Sequence, residues 1–237
     1  MSSLSIVIPL YNKGDQIKNT LQSIDKKCKE LNLIYEILII ENESTDNSLI
    51  KAKEWLGKNQ SIAEIHSTAK GMGNAVKLGI LKSRYDYITL IPADYTFGES
   101  ELEYFQKYYS IMGDYVVGSR ALKESYAPTP FHRKVITFGF NVLKKLILNL
   151  NIKDTQGTFI IKKDLARNLA EISISTQFFI TTEFIFRALK KGIEIIEIPI
   201  RNKNDKNNKT TVYYFSDSFE MFINLIKLRK LEGKLKD

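Results

Sequence analysis

Short apolar runs alternate with longer stretches of helical periodicity along most of this chain, and that alternation limits the fold more than any other feature. Strand-like runs fall at about 4–9, 35–40, 62–66, 86–91, 114–118, 158–161 and 193–198. Helix-like stretches at about 14–30, 47–58, 72–83, 99–110, 131–149 and 178–191 separate most of them. This order predicts an α/β fold whose sheet is mostly parallel, with helices on both faces. The early strands are apolar on both alternations, as in Ile37-Leu38-Ile39-Ile40, the pattern of strands covered on both sides. Ser44 or Asp46 is a candidate cap for the second helix, and Gly57 and Gly192 sit where helices should stop.

In a sheet of this kind, ligands bind beyond the carboxyl ends of the strands. Residues 84–96, RYDYITLIPADYT, are therefore the most informative segment: an apolar strand runs directly into an acidic tip at Asp94. Around it the chain supplies little for other chemistries. Cys28 is the only cysteine and there are two histidines, His66 and His132, so neither an internal disulfide nor a structural zinc site is expected. The N-terminus enters a strand pattern without a leader-like segment. No apolar run reaches the roughly 18–20 residues needed to cross a bilayer. A cytoplasmic location is expected, soluble or peripheral on the inner face of a membrane.

The formal net charge of +8 is unevenly placed. Residues 201–211 hold four cations and one anion, and the tail 227–237 is also rich in lysine and arginine. Such surfaces favour diphosphates, anionic lipid or nucleic acid. With no RNA-binding aromatic signature and no helix-turn-helix pattern, no nucleic-acid partner is expected. In 131–149, Phe131, Val135, Phe138, Val142, Leu146 and Leu150 share one helical face, with Phe140, Leu143 and Ile147 nearby. Residues 212–230 repeat the theme. Either these are core helices, or they form an interfacial surface for lipid or a lipid-linked substrate.

Four segments, SIVIPLYNK at 5–13, EILIIENESTDNS at 36–48, KGMGNAVKLGI at 70–80 and RYDYITLIPADYT at 84–96, resemble in order and spacing the nucleotide-sugar half of a family 2 glycosyltransferase. The resemblance implies a GT-A type nucleotide-sugar-binding fold with C-terminal amphipathic helices. The resemblance covers roughly residues 4–211. It places a glycosyltransferase domain at 1–211, split into a nucleotide-sugar half (1–120) and an acceptor half (121–211), followed by a basic amphipathic helix at 212–237. It also implies that Pro9, Tyr11, Asn12, Glu41, Asn42, Lys70 and Gly71 bind a UDP- or GDP-linked sugar. Lys70-Gly71-Met72-Gly73 opens a helix, where glycines let backbone approach a ligand and the helix terminus favours an anion.

Asp94 matches the second acid of the family's Asp-x-Asp, the binding point for Mg²⁺ or Mn²⁺. The first acid is replaced by Pro92, and a metal is expected to bind weakly or only with the nucleotide. Further departures are Lys13 for the family's glutamate, Glu41 and Asn42 for its acidic pair, Glu43 for its glycine, and Thr96 for a glutamine.

In the second half, Gly118-Ser119-Arg120, Arg133 with Thr137 one helical turn on, Asp154-Thr155-Gln156-Gly157, Thr182-Glu183 and Glu197-Ile198-Pro199 resemble the dolichyl-phosphate mannosyltransferase, or polyprenyl-phosphate hexose transferase, branch. The implied catalytic residues are Asp94, Arg120, Arg133 and Glu183, and the implied acceptor-binding residues are Arg120, Arg133, Thr137, Gln156 and Lys209. A sugar hydroxyl acceptor needs a general base, for which Asp154 and Glu183 are candidates. A polyprenyl phosphate is already anionic and needs cations instead. The basic and apolar character of this half favours a polyprenyl phosphate, and the expected function is inverting transfer of a hexose to it during glycan or cell-surface polysaccharide synthesis. A non-catalytic nucleotide-sugar- or partner-binding member is the alternative, supported by the departures above. A nucleotidyltransferase ranks last, because no glycine-rich basic loop opens the chain.

Overall fold

The computed structural model describes residues 3–95, 99–126, 131–201 and 214–234, except for the side chains of 131–134, 214–219, 233 and 234. The order is β1 (Ser3–Leu10), α1 (Ile17–Glu30), β2 (Ile34–Glu41), α2 (Ser48–Leu56), β3 (Ala63–Ser67), α3 (Met72–Lys82), β4 (Tyr87–Leu90), α4 (Glu99–Tyr108), β5 (Tyr115–Ser119), α5 (Phe131–Leu148), β6 (Phe159–Lys162), α6 (Lys163–Ile172), α7 (Ile180–Lys190), β7 (Ile195–Pro199) and α8 (Tyr214–Lys234). One seven-stranded sheet runs through both halves in the order β3-β2-β1-β4-β6-β5-β7. All its pairings are parallel except those of β6, which lies antiparallel between β4 and β5.

The doubly apolar strands explain the layering. In β2, Leu38 and Ile40 belong to one buried cluster and Ile37 and Ile39 to the other, because successive side chains leave a strand on opposite faces. The first cluster is completed by α3, α6, α7 and α8, and the second by α1, α2 and α4. Cys28, written in a basic run, points inward from α1 and is fully buried. Burial, with some help from Asp25, pushes its thiol up to about 12, so it is an inert core residue.

α6 is absent from the periodicity reading. β6 passes into it at Lys162–Lys163 without an intervening turn, so its start is not announced, although Leu165, Leu169 and Ile172 stand at helical spacing; its buried face is carried by Ala166, Leu169 and Ala170. Pro9 is tolerated in a central strand because β1 pairs with β2 as far as Leu10 but with β4 only to Val7. Its missing N–H therefore falls beyond the β4 ladder.

Candidate active site

The ends of β1, β2 and β4 lie side by side and create the site. Leu10 and Glu41 are in register at the end of the β1–β2 pair, and Ile91 N donates to Val7 O at 3.0 Å as β4 leaves the sheet. Just past each strand end is a non-glycine residue in the left-handed region: Asn12 (φ 49°), Glu43 (φ 59°) and Tyr95 (φ 47°). Among the described residues the other two, Asn32 and Asn149, follow the ends of α1 and α5, where that conformation commonly stops a helix. For a bulky side chain such as Tyr95 the conformation costs about 1–2 kcal/mol, and strain of this kind gathers at functional sites. Glu43 occupies the place where the family resemblance expects glycine, and it still adopts the glycine-like backbone.

Hydrogen bonds tie the loops together. Asn12 N donates to Ser44 Oγ at 3.2 Å and Asn12 Oδ1 accepts from Thr45 N at 2.8 Å. Lys13 N donates to Ser48 Oγ at 2.7 Å and Gly14 N to Asp46 Oδ2 at 3.0 Å. Burial opposes the charge of Asp46, but the Ser48 hydroxyl and the Gly14 and Ser48 N–H groups outweigh it and hold the carboxyl below its usual range. Neither cap candidate is the N-cap of α2, which falls on Asn47 with no side-chain cap bond; Asp46, one residue earlier, accepts from Ser48 N at 2.9 Å, and Ser44 accepts from Asn12 N beyond β1.

Around this frame sit the expected donor-site residues. Asp94 makes an ion pair with Lys13, Nζ to Oδ2 at 3.2 Å. Glu41 is buried, and its Oε1 accepts from Ser44 N at 2.5 Å, so it shapes its own loop. Asn42 is likewise buried and accepts from Gly71 N at 2.8 Å. Lys70 donates to Tyr11 OH at 2.7 Å with its ammonium 4.5 Å from the ring centroid, a cation–π arrangement. Thr96 lies outside the described residues.

The glycine turn differs from expectation. The N-terminus of α3 is capped by this chain's own backbone: Thr176 O accepts from Gly73 N at 2.8 Å and Asn74 N at 3.3 Å. The N–H groups read as an anion site are therefore engaged. Gly71, at φ 142°, and Gly73 are required because the 175–176 segment lies against them. A Cβ on Gly73 would be 2.6 Å from Ser175 O and 2.7 Å from Thr176 C, and one on Gly71 would collide with Thr176 O. Gly73→Ala is expected to lower stability by about 2–3 kcal/mol, because backbone cannot yield as a flexible side chain does. Chemical denaturation checks this; an unchanged midpoint would contradict it.

In the acceptor half, Arg120 follows β5 and forks onto Asp154, with Nε–Oδ2 at 2.6 Å and an Nη–Oδ1 bond at 2.8 Å. Asp154 also accepts from Arg120 N at 2.9 Å and Gln156 N at 3.2 Å. Burial works against its charge, but the Arg120 guanidinium prevails and keeps its carboxyl below the usual range. Gln156 reaches Met221 Sδ at 3.0 Å, linking this loop to α8. Thr137 is exposed on α5. Arg133 belongs to α5 with its side chain outside the described residues, as is all of Lys209.

Glu183, expected as a catalytic carboxylate, is not brought to the cleft surface. It is fully buried, accepting from Ile174 N (3.1 Å), Ser175 N (2.9 Å) and Arg187 Nε (2.7 Å). Its geometry holds the 174–176 segment that caps α3. Two residues matter more than the sequence indicated. Lys13 stood out only as a departure, and Lys144 is buried, bonded to Asn141 Oδ1 and Ile152 O, with burial pushing its amine down to about 8.

Comparisons with known proteins agree with this architecture. Residues 5–169 match the family model of glycosyl transferase family 2. The chain is 27% identical to a dolichyl-phosphate beta-glucosyltransferase of Dictyostelium discoideum, over 95% of its own length and 73% of that protein's. It is 25% identical to a dolichol-phosphate mannosyltransferase of Pyrococcus furiosus, over 98% and 65% of the two lengths. Among solved structures, a Mycobacterium tuberculosis glucosyl-3-phosphoglycerate synthase with Mn²⁺, UDP and glucosyl-3-phosphoglycerate superimposes with TM-score 0.71 at 14% identity, covering 97% of this chain and 80% of that one. A mannosyl-3-phosphoglycerate synthase from Rubrobacter xylanophilus gives TM-score 0.71 at 16% identity, covering 100% and 76%. At such identities the likeness shows a shared fold, the GT-A type α/β arrangement. The match across 5–169, on a sheet whose strand ends gather beside Asp94, makes this chain a member of glycosyl transferase family 2.

Proposed function

We propose that the chain transfers a hexose, with inversion, from a UDP- or GDP-linked sugar to a polyprenyl phosphate. The curated relatives named above support that acceptor class by their names. Residues 1–120 hold the donor, 121–211 the acceptor, and 212–237 complete the acceptor side. Asp94, Tyr11, Asn12 and Lys70 face the nucleotide. Pro9, Glu41, Asn42 and Gly71 shape the pocket.

A phosphate oxygen of the lipid attacks the anomeric carbon. The bond from that carbon to the diphosphate breaks, its electron pair leaves with the diphosphate, and no proton needs to be removed from the acceptor. The observation that carries the choice of acceptor is the engagement of both candidate bases. Asp154 is occupied by Arg120 and backbone, and Glu183 by Arg187 and backbone. A hydroxyl acceptor needs a carboxylate within reach, whereas a phosphate needs cations, for which Arg133 and Lys209 are the candidates, with Arg120 contributing only while it also holds Asp154.

Asp94 would be the one carboxylate to hold a divalent cation bound with the donor; Pro92 offers no ligand, and diphosphate and water would supply the remaining oxygens. Among the described residues, no group of three or more His, Cys, Asp or Glu side chains is placed to hold a metal. When bound, the ion neutralises charge on the departing diphosphate.

The lipid acceptor also calls for a surface at the membrane. No helix among the described residues is long and apolar enough to cross one. α5, however, turns Phe140, Leu143 and Ile147 toward the core and leaves Val135, Phe138, Val142 and Leu146 exposed, with Phe138 at 71% and Leu146 at 76%. That stripe, with exposed Lys145 beside it, fits peripheral binding to the inner face of a membrane.

Replacing both Phe138 and Leu146 by Asp is expected to weaken sedimentation with anionic vesicles by at least about tenfold, since each buried side chain contributes roughly 1.5–3 kcal/mol. Hydrolysis of the sugar nucleotide in detergent should be unchanged. Undiminished vesicle binding would contradict the assignment.

A further inference from the structure

The proposed donor site contains a cation that the family pattern does not supply. We infer, resting on the donor-site reading above, that Lys13 is the fixed counter-ion of the nucleoside diphosphate, so that diphosphate binding proceeds without a divalent metal. A divalent ion then adds to binding but is not a condition of it.

The geometry supports this in three ways. Lys13 and Asp94 project from the ends of β1 and β4, adjacent strands, and their charged atoms meet at 3.2 Å with the side chains only 12% and 20% exposed. The root of Lys13 is held by the bond from its own N–H to Ser48 Oγ and by the neighbouring bond from Gly14 N to Asp46. The loop therefore fixes its backbone, and the ion pair with Asp94 locates its ammonium. Third, the charge balance is preserved. Two acids and a divalent ion sum to zero, and so do Asp94 and Lys13 once Pro92 has replaced the first acid.

An ammonium carries three N–H donors. It can keep Asp94 on one and offer another to a diphosphate oxygen, the role lysine plays as a point charge for phosphate elsewhere. The same residue explains how a chain with one carboxylate at this position keeps a diphosphate site. In place of a carboxylate pair that recruits a cation, the chain encodes the cation itself.

The test is calorimetric titration of UDP and of GDP into wild type, Lys13→Gln and Lys13→Arg, each in EDTA and in Mn²⁺, with melting curves to verify folding. Wild type is expected to bind one nucleotide in EDTA, with Mn²⁺ improving affinity by less than about fivefold. Lys13→Gln should lose at least about tenfold in EDTA and recover much of it in Mn²⁺, while Lys13→Arg stays near wild type. Wild-type binding that appears only with Mn²⁺ would overturn this inference and leave the donor site standing. So would Lys13→Gln binding like wild type in EDTA. Failure of folded wild type to bind either nucleotide in either condition would remove the donor-site reading and this inference with it.

Discussion

Asp94→Ala is expected to reduce kcat/KM for sugar transfer by about 10³-fold or more while leaving the fold intact. Asp94 is the one carboxylate in the turn that follows β4, and it is held against Lys13. Its removal takes away both the metal ligand and the partner that aims the ammonium, so two sources of charge stabilisation at the departing diphosphate fail together. The stability cost should be about 1–2 kcal/mol, because the pair is a single partly buried contact, its side chains 12% and 20% exposed, between the surface case and the fully buried one. Turnover and melting temperature, measured on the same preparation, check both halves. Near-normal turnover would remove Asp94 from the mechanism.

The second large effect concerns stability. Glu183→Ala should destabilise the protein by about 3 kcal/mol, the consequence of leaving a largely buried cation and backbone donors without their partner. Ile174 N, Ser175 N and Arg187 all lose their acceptor. The 174–176 segment that caps α3 through Thr176 O loses its anchor as well. Glu183→Gln separates positioning from catalysis. An amide keeps one acceptor oxygen but sets its NH₂ among donors, which costs about 1–3 kcal/mol. A general base replaced in this way would lose kcat at an unchanged melting temperature. The expected result is the reverse: a lower melting temperature, and kcat per folded molecule within about threefold of wild type. A kcat collapse with unchanged stability would restore Glu183 to the chemistry.

These two carboxylates also mark where sequence reading succeeds and where it stops. Strand positions were legible because β1, β2 and β4 are largely apolar on both faces, a pattern few other elements produce. Asp94 could be located because a strand ending in an acid places that acid at the sheet's open edge. Glu183 was only partly legible: Arg187 stands one helical turn on, but its other partners are backbone N–H groups at 174 and 175, and backbone donors leave no mark in a sequence. The same holds for Gly71 and Gly73. Their spacing announced a close backbone approach, but not that the approaching group would be Thr176 of the same chain.

The antiparallel setting of β6 escaped the alternation rule, which gives the order of elements but not their direction. α6 escaped it because it follows β6 with no turn between them. On α5 the pattern was ambiguous between core and membrane surface, and the helix divides the two roles: Leu143 and Ile147 turn inward, Phe138 and Leu146 outward.

The most direct measurement is transfer itself. Purified protein would be incubated with radiolabelled UDP-glucose or GDP-mannose and vesicles carrying a polyprenyl phosphate, with the corresponding neutral polyprenol as control. Label extracted into the lipid phase with polyprenyl phosphate, and absent with the polyprenol, is the expected result. Nucleotide-sugar binding with no label passing to the lipid phosphate would contradict the account and favour a binding protein built on a glycosyltransferase frame.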